Sequence, residues 1–245
     1  MAEKFSLKDH LFHSGTITAL ASEYAAAVPG FDADGFVADC LAGFAERELL
    51  DRLDWIADQV AARLATDFPT MADQLQAAMP PPLDPTLKDD DFGHFIHAVP
   101  GVLAVRHGMG HLDRALDVLH AATQRFSMEF YIRPFLNQHT DAVLDRLAIW
   151  ATDENYHVRR LVSEGTRARL PWAKKIDLDP MVPLRFLDML YADRTRYVTR
   201  SVANHLNDIA KIDAHVVLDR LAAWSAQGRQ TDKELTWIKR HACAH

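Results

Sequence analysis

Apolar residues recur every three or four positions through most of the chain, which is the period of an amphipathic helix. In the first half this pattern predicts helices over 16–28, 36–49, 46–68, 70–79, 112–120 and 124–135. A connector rich in proline and charge is predicted at 80–92, and Pro100-Gly101 is predicted to break the apolar stretch at 95–105. No stretch alternates between apolar and polar residues for long enough to predict a strand. The pattern therefore predicts an all-α protein.

The second half of the chain repeats with a period near 40 residues. Two sets of positions recur with this spacing: Val158, Val198 and Ile238, and Arg160, Arg200 and Arg240. Each set lies on the second helix of a predicted pair, and helix pairs of this period are typical of HEAT-like solenoids, whose second helices line a concave surface. We therefore predict a HEAT-like helical-repeat solenoid with a concave, basic surface on which stacked arginines could bind phosphates. Ordinary surface decoration would not require arginines at the same phase in three repeats.

Charge divides the chain unevenly. The protein has 245 residues and a net charge of −7. Residues 1–124 contain 8 Lys and Arg against 19 Asp and Glu, whereas residues 125–245 contain 19 against 15. A phosphate-binding face must therefore lie in the second half. We predict an acidic N-terminal helical region at 1–92 that caps the array, and a repeat region at 93–245 that carries the site, within one continuous domain.

Several classes of protein are disfavoured by what the sequence lacks. No apolar run approaches the length of a membrane span, and the first residues do not form the apolar core of a signal peptide. Cys40 and Cys243 have neither a disulfide framework nor a metal-ligand spacing, and 108–110 reads as a turn rather than a nucleotide-binding loop. We expect no metal, no cofactor, no membrane association and no obligate protein partner. The expected protein is a cytoplasmic monomer.

The segment 157–173 concentrates groups that could carry chemistry. It contains Arg159, Arg160, Arg167 and Arg169, one carboxylate (Glu164) and one indole (Trp172). If the helix continues to residue 166, Arg160, Glu164 and Arg167 share one face, and Glu164 braces the two arginines. Guanidinium groups, a carboxylate and an indole at a helix end suit an anionic polymer that carries planar groups. The alternative is a helix C-terminus whose arginines suit the helix dipole, followed by a tryptophan that plugs the next helix pair.

Two further clusters lie on neighbouring repeats. Glu129 is flanked by aromatic residues, so its burial would be costly without a partner, and Arg133 four positions later is the predicted one. An ordinary ion pair on a helix surface explains this spacing equally well. The stripe at 204–211 contains Asn204, Asn207, Asp208 and Lys211, and asparagine and aspartate are unfavourable inside helices. Helix termination accounts for only one or two of them.

The motifs at 127–136, 156–173, 197–211 and 237–242 together resemble the AlkC family. These are bacterial DNA glycosylases of the AlkC/AlkD superfamily, which remove 3-methyladenine and related N-alkylated bases. The resemblance is strong over 110–242 and loose before that. It rests above all on the run Val-Arg-Arg-Leu-Val-Ser-Glu-Gly-Thr-Arg-Ala-Arg-Leu-Pro-Trp at 158–172.

The resemblance implies an activity and a set of site residues. Glu129 and Asp208 match carboxylates of the family's active site, and Trp172 matches the indole that packs against the damaged nucleotide. The DNA-facing residues expected from the resemblance and the repeat are Arg133, Arg159, Arg160, Arg167, Arg169, Arg200, Asn204, Asn207, Lys211 and Arg240. The implied reaction is monofunctional hydrolysis of the N-glycosidic bond of cationic bases such as 3-methyladenine, with 3-methylcytosine as a further candidate, in double-stranded DNA. By analogy with AlkD, we expect that the base is not fully flipped, and we expect the protein to associate with the nucleoid when it is bound to DNA.

Two alternatives remain open. One is a non-catalytic superfamily member that binds DNA structure without excising a base. The other is a helical-repeat scaffold for a protein partner, which predicts an apolar or mixed concave face. The presence of Glu129, Trp172 and Asp208 together favours the enzyme.

Overall fold

The computed structural model describes residues 5–87 and 92–244, and helices joined by turns and loops account for most of them. The helices are α1 (Leu7–Leu11), α2 (Ser14–Ala27), α3 (Ala33–Ala42), α4 (Leu49–Ala61), α5 (Phe68–Ala77), α6 (Val99–His107), α7 (Leu112–Thr123), α8 (Glu129–Gln138), α9 (Thr140–Trp150), α10 (Tyr156–Gly165), α11 (Leu184–Leu190), α12 (Arg196–Ala210), α13 (Ala214–Gln227) and α14 (Asp232–Ala242). A short 3₁₀ helix at Phe95–Ala98 precedes α6. Apart from an isolated bridge between Gly93 and Phe126, the described residues contain no β-structure. The all-α prediction is confirmed.

Side-chain caps explain where several helices begin. The side chain of Asp67 accepts a hydrogen bond from the amide of Thr70 at the start of α5, and Asn155 accepts one from His157 at the start of α10. The side chain of Asp213 similarly caps α13, which ends at Gly228 in the left-handed conformation. These caps satisfy amides that would otherwise have no partner within the helix.

The chain divides into two compact units. Described residues of 5–83 and 92–131 form the first, and those of 84–87 and 132–244 form the second. In the first unit α2 packs on α3, α4 packs on α6, and α7 packs on α5 and α6. Its core includes fully buried Ile17, Phe36, Ile56 and Leu75.

The second unit contains the repeats. The second helix of each pair packs on the next, so that α10 contacts α12 and α12 contacts α14, while α9, α11 and α13 pack against them. Val158, Val198 and Ile238 are all completely buried. The phase of 40 residues therefore marks equivalent core positions, and the helical-repeat fold is confirmed. The ring of Tyr191 stacks on that of Trp224 at 4.4 Å between centroids and fills the space between α11 and α13.

The predicted break at Pro100-Gly101 is wrong. The helix α6 runs from Val99 to His107 through both residues. Proline is tolerated there because it lies in the first turn, where its missing amide would have had no partner within the helix. Gly101 has a separate role, since a Cβ atom at this position would collide with the ring of Tyr131.

Other predicted boundaries are displaced. The helix predicted over 46–68 covers only Leu49–Ala61, and Asp67 then caps the start of α5. The helix predicted over 124–135 begins only at Glu129. The most charged part of the connector predicted at 80–92 falls on 88–91, which lie outside the described residues. Within the described ranges, no helix combines the length and the apolar character required to cross a membrane.

Candidate active site

A buried ion network links α10, the segment after it and α12. The Nε atom of Arg167 donates to Oδ2 of Asp208 at 2.9 Å, and its Nη1 atom donates to Oε1 of Glu164 at 2.7 Å. The side chains of Asp208 and Glu164 are only 7% and 6% exposed. Removing two carboxylates from water is costly unless their charge is compensated. Arg167 supplies that compensation to both.

Hydroxyl groups complete the network. The Oγ atom of Ser201 donates to Oε2 of Glu164 at 2.6 Å and lies 2.9 Å from the Oγ atom of Ser163. Both serines are buried. Each oxygen of Glu164 thus has its own donor, so the carboxylate is fixed in one orientation.

Arg160 lies on the other side of Glu164. Its Nη2 atom is 3.8 Å from Oε2 of Glu164, and its guanidinium stacks over the ring of Tyr197 at 4.5 Å from the centroid. The structure therefore places Glu164 between Arg160 and Arg167, as their spacing predicts. Tyr197 belongs to the next repeat, so the stack also ties α10 to α12.

The network shifts the ionisation of its members. Burial alone would raise the pKa of Glu164, but the charges of Arg160 and Arg167, with hydrogen bonds from Ser201 and Arg167, outweigh burial and lower this pKa below its usual value. For Arg167, burial acts to lower the pKa, and the charges and hydrogen bonds of Glu164 and Asp208 raise it overall. The network is therefore stable in its charged form.

A buried histidine lies beneath the network. The Nδ1 atom of His205 is 3.0 Å from the carbonyl oxygen of Ser163, and burial, followed by the charge of Arg167, lowers the pKa of His205 to about 3. This imidazole is neutral at neutral pH. Its Nδ1–H donates to the carbonyl, because a carbonyl oxygen can only accept.

Trp172 lies on the loop at 166–183, which joins α10 to α11. Its indole is 86% exposed, so the interpretation that it plugs the next helix pair is wrong. The amide of Ala173 donates to the carbonyl of Leu170 at 3.2 Å, which closes a turn with Pro171 second and Trp172 third. Trp172 has a φ of 64°, the one positive value at a non-glycine residue among those described. Such a conformation is strained for a bulky residue.

Some predicted DNA contacts are engaged inside the protein. Arg133 is 1% exposed and donates to the carbonyls of Gly165, Arg167 and Lys174. We therefore revise its role from a DNA contact and partner of Glu129 to a donor that holds backbone.

Arg159 and Asn207 are similarly engaged. Arg159 pairs with Asp193 at 2.5 Å and donates to carbonyls in the turn before α10. Asn207 donates to the carbonyls of Ala242 and Ala244 at the end of α14, and Oδ1 of Asn204 lies 2.5 Å from Nε2 of His241. These side chains join neighbouring repeats, and their contact with DNA stays a prediction.

Other predicted cations are accessible. Arg169, Lys211 and Arg240 are exposed, and Arg200 is half-buried. They lie in the second unit, on the basic half of the chain. They are the side chains best placed for long-range attraction of a polyanion.

Glu129 is the first residue of α8 and is half-buried. It belongs to the first unit, where burial and the charges of Asp54 and Glu129 raise the pKa of Tyr131. Asp208 and Trp172 belong to the second unit. The convergence of Glu129 with Asp208 therefore stays a prediction.

Reasoning from the sequence missed Ser163, Ser201, His205 and Asn137. The first three are buried polar residues, and Ser163 lies about one repeat before Ser201 and His205, a signal that the period of 40 could have revealed. Asn137 bonds only to backbone, at Lys175 and Asp177, and its partners have no signature in the sequence. Across 5–87 and 92–244, no group of three or more His, Cys, Asp and Glu side chains is arranged to hold a metal ion.

Comparison with known proteins supplies a relative and a solved structure. No family model matches the chain. Over 140 residues, 56% of this chain and 38% of the relative, it is 39% identical to uncharacterized protein YhaZ of Bacillus subtilis (strain 168). It also superposes on the Pseudomonas fluorescens alkylpurine DNA glycosylase AlkC, solved bound to DNA containing an abasic site analog. The TM-score is 0.82 and the identity 33%, over 97% of this chain and 63% of that one.

The chain thus spans less than two thirds of the length of either protein. The superposition nevertheless covers nearly all of its own residues, including both units. It confirms the resemblance carried by the motifs: this chain is similar to AlkC over nearly all of its own length.

Proposed function

We propose that this protein is a DNA glycosylase that hydrolyses the N-glycosidic bond of cationic alkylated purines, 3-methyladenine in particular, in double-stranded DNA. The observation that carries the proposal is the likeness to an alkylpurine DNA glycosylase over 97% of the chain. The motifs that carry the resemblance contain Glu129, Trp172 and Asp208, and two carboxylates with an indole support this assignment.

The chemistry of the lesion defines what the protein must supply. Alkylation at N3 of adenine places a positive charge on the ring, so the base leaves as a neutral molecule and needs no strong general acid. Water adds to C1′ of the deoxyribose as the bond to the base breaks, and the water loses a proton. The enzyme has to stabilise the oxocarbenium-like sugar and position the water, and carboxylates suit both tasks.

A simple estimate gives the size of this effect. A carboxylate about 4 Å from a unit positive charge contributes roughly 4 kcal/mol at an effective dielectric constant near 20. That energy corresponds to roughly a thousandfold in rate. One carboxylate can therefore account for a large part of the catalysis.

We assign the first catalytic role to Asp208. Arg167 bonds to its Oδ2 atom, which restricts rotation of the carboxylate, and we assign Oδ1 to the sugar or the water. Glu129 is the second carboxylate, and Trp172 provides an exposed π face for the cationic nucleotide. Arg169, Arg200, Lys211 and Arg240 attract and position the phosphate backbone.

Base release from DNA with a defined methyl lesion tests the proposal. Enzyme in excess should release 3-methyladenine, while Asp208→Asn and Glu129→Gln should fold normally and lose roughly a thousandfold in the single-turnover rate. Asp145→Asn is a matched control, because Asp145 is an exposed carboxylate on α9. Absence of release by the wild-type protein at high excess would refute the proposal.

The same assay distinguishes the two alternatives. A non-catalytic DNA-binding member would bind methylated DNA without releasing a base. A protein scaffold would not bind DNA at low salt. Full activity in both carboxylate variants would show that the site has been assigned to the wrong residues.

A further inference from the structure

Two polar side chains of α8 bond to the backbone of the loop that carries Trp172. Arg133 donates from Nε to the carbonyl of Lys174 at 2.8 Å, and from Nη1 to the carbonyls of Gly165 at 3.1 Å and Arg167 at 2.7 Å. Asn137, one turn later, donates to the carbonyl of Lys175 at 3.0 Å and accepts from the amide of Asp177 at 2.8 Å. Five hydrogen bonds thus join these two side chains to the loop and to the last residue of α10.

These hydrogen bonds lie on both sides of the exposed turn. Those to Gly165 and Arg167 hold the chain before Trp172, and those to 174, 175 and 177 hold it afterwards. The tip at 168–173 is closed on itself by the bond from Ala173 to Leu170. The loop therefore has a fixed base and a small projecting tip.

The strained backbone at Trp172 requires such support. A tryptophan with a φ of 64° persists only where its surroundings determine the conformation, and its own indole contributes little packing because it is 86% exposed. Arg133 is itself rigid, since it is 1% exposed and its guanidinium is shared among three carbonyls. A buried arginine bound to backbone is an anchor rather than a surface contact.

We propose that Arg133 and Asn137 are positioning residues that clamp the loop at 166–183 and thereby orient the indole of Trp172 toward DNA. The proposal rests on the proposed function for its effect on excision, but the clamp itself is a property of the free protein. Arg133 has a second effect through the same contacts, because it holds the carbonyl of the residue that pairs with Asp208. Asn137 acts on the loop alone and is the cleaner site for substitution.

Fluorine NMR of protein labelled with 5-fluorotryptophan tests the clamp without requiring activity. The chain contains 5 tryptophans, and Trp172→Phe identifies the resonance of Trp172. This resonance should shift or broaden in Asn137→Ala and in Arg133→Lys, while the other four stay unchanged. Lysine keeps the charge of Arg133 but cannot donate to three carbonyls at once. Gln138→Ala, at the exposed neighbouring position on α8, should leave all five unchanged. An unchanged Trp172 resonance in both clamp variants would overturn the proposal, as would equal changes in all five, which indicate general loosening.

Excision kinetics then measure the consequence. Asn137→Ala should lower the single-turnover rate roughly tenfold to a hundredfold, because misplacement of a contacting group by about 1 Å can cost that much. Its Kd for undamaged DNA should stay within twofold of the wild-type value. Loss of binding and rate together would mean that Asn137 supports the fold rather than the indole. If the wild-type protein excises nothing, the proposed function fails, and the NMR result still decides the clamp.

Discussion

The Nε atom of Arg167 lies 2.9 Å from Oδ2 of Asp208, and the same guanidinium bonds to Glu164. Arg167→Ala should therefore lower the free energy of unfolding by about 3–5 kcal/mol, because buried Asp208 loses the arginine that pairs with it and Glu164 keeps only Arg160 as a cationic neighbour. Arg167→Lys should cost less, since it keeps the charge but cannot bond to both partners in the same geometry. Urea denaturation at neutral pH measures both changes.

The matched control is Arg169→Ala. Arg169 is exposed two positions away, and its removal should change stability by less than about 0.5 kcal/mol. Equal losses in Arg167→Ala and Arg169→Ala would show that the ion network contributes nothing specific to the fold.

Burial of His205 makes stability depend on pH. Because its pKa is lowered to about 3, the unfolded state binds an extra proton between roughly pH 6.5 and pH 3, and the protein loses stability as the pH falls through this window. The slope attributable to His205 is about 1.4 kcal/mol per pH unit. In His205→Asn, the amide can still donate to the carbonyl of Ser163. The free energy of unfolding of this variant should fall less steeply between pH 6 and pH 4.5, with a slope smaller by about 1.4 kcal/mol per pH unit. Parallel curves for wild type and variant would contradict this prediction.

Gly165 allows α10 to approach α8. A Cβ atom at this position would lie 2.5 Å from Cγ2 of Ile132, although the glycine itself has an ordinary φ. Gly165→Ala should destabilise the protein by about 1–3 kcal/mol, despite the higher helix propensity of alanine. The double variant Gly165→Ala with Ile132→Ala should recover part of this loss in thermal or urea unfolding. A stabilising effect of the single variant would show that the two helices separate without cost.

The accessible cations should determine how DNA binding depends on salt. Arg169→Ala, Lys211→Ala and Arg240→Ala should each reduce the slope of log Kd against log salt concentration by about one unit for each phosphate that the substituted side chain neutralises. Titration of undamaged duplex at several salt concentrations measures this slope. Arg114→Ala, in the first unit and paired with Asp73, is the control and should leave the slope unchanged. Unchanged slopes in all three test variants would show that DNA binds to a different part of the surface.

The period of the repeat was predictable because side chains of the same type recur at a fixed interval. Val158, Val198 and Ile238 occupy one buried position in successive repeats, so packing imposes the same residue class at the same interval. The pairing of Glu164 with arginines one turn on either side is local in the same sense. The break predicted at Pro100-Gly101 failed because a proline in the first turn of a helix and a proline that ends one look alike in sequence.

Much of the candidate site depends on contacts that produce no recognisable pattern in the sequence. Arg133 and Asn137 bond to backbone atoms, which every residue possesses, so no pattern identifies their partners. Arg167 reaches Asp208 across 41 positions, and a pairing at that distance becomes visible only when the helices are packed. The sequence indicates that cationic residues concentrate in the second half of the chain. It does not indicate which of these arginines form hydrogen bonds and ion pairs within the protein.

The long-range hydrogen bonds of the second unit nearly all span about one repeat. The separation is 41 for Arg133 with Lys174 and for Arg167 with Asp208, and 38 for Ser201 with Ser163. Each repeat is therefore completed by the one synthesised directly after it. During translation, the network of polar groups around Glu164 can close as soon as α12 has left the ribosome, before α13 and α14 have emerged and folded.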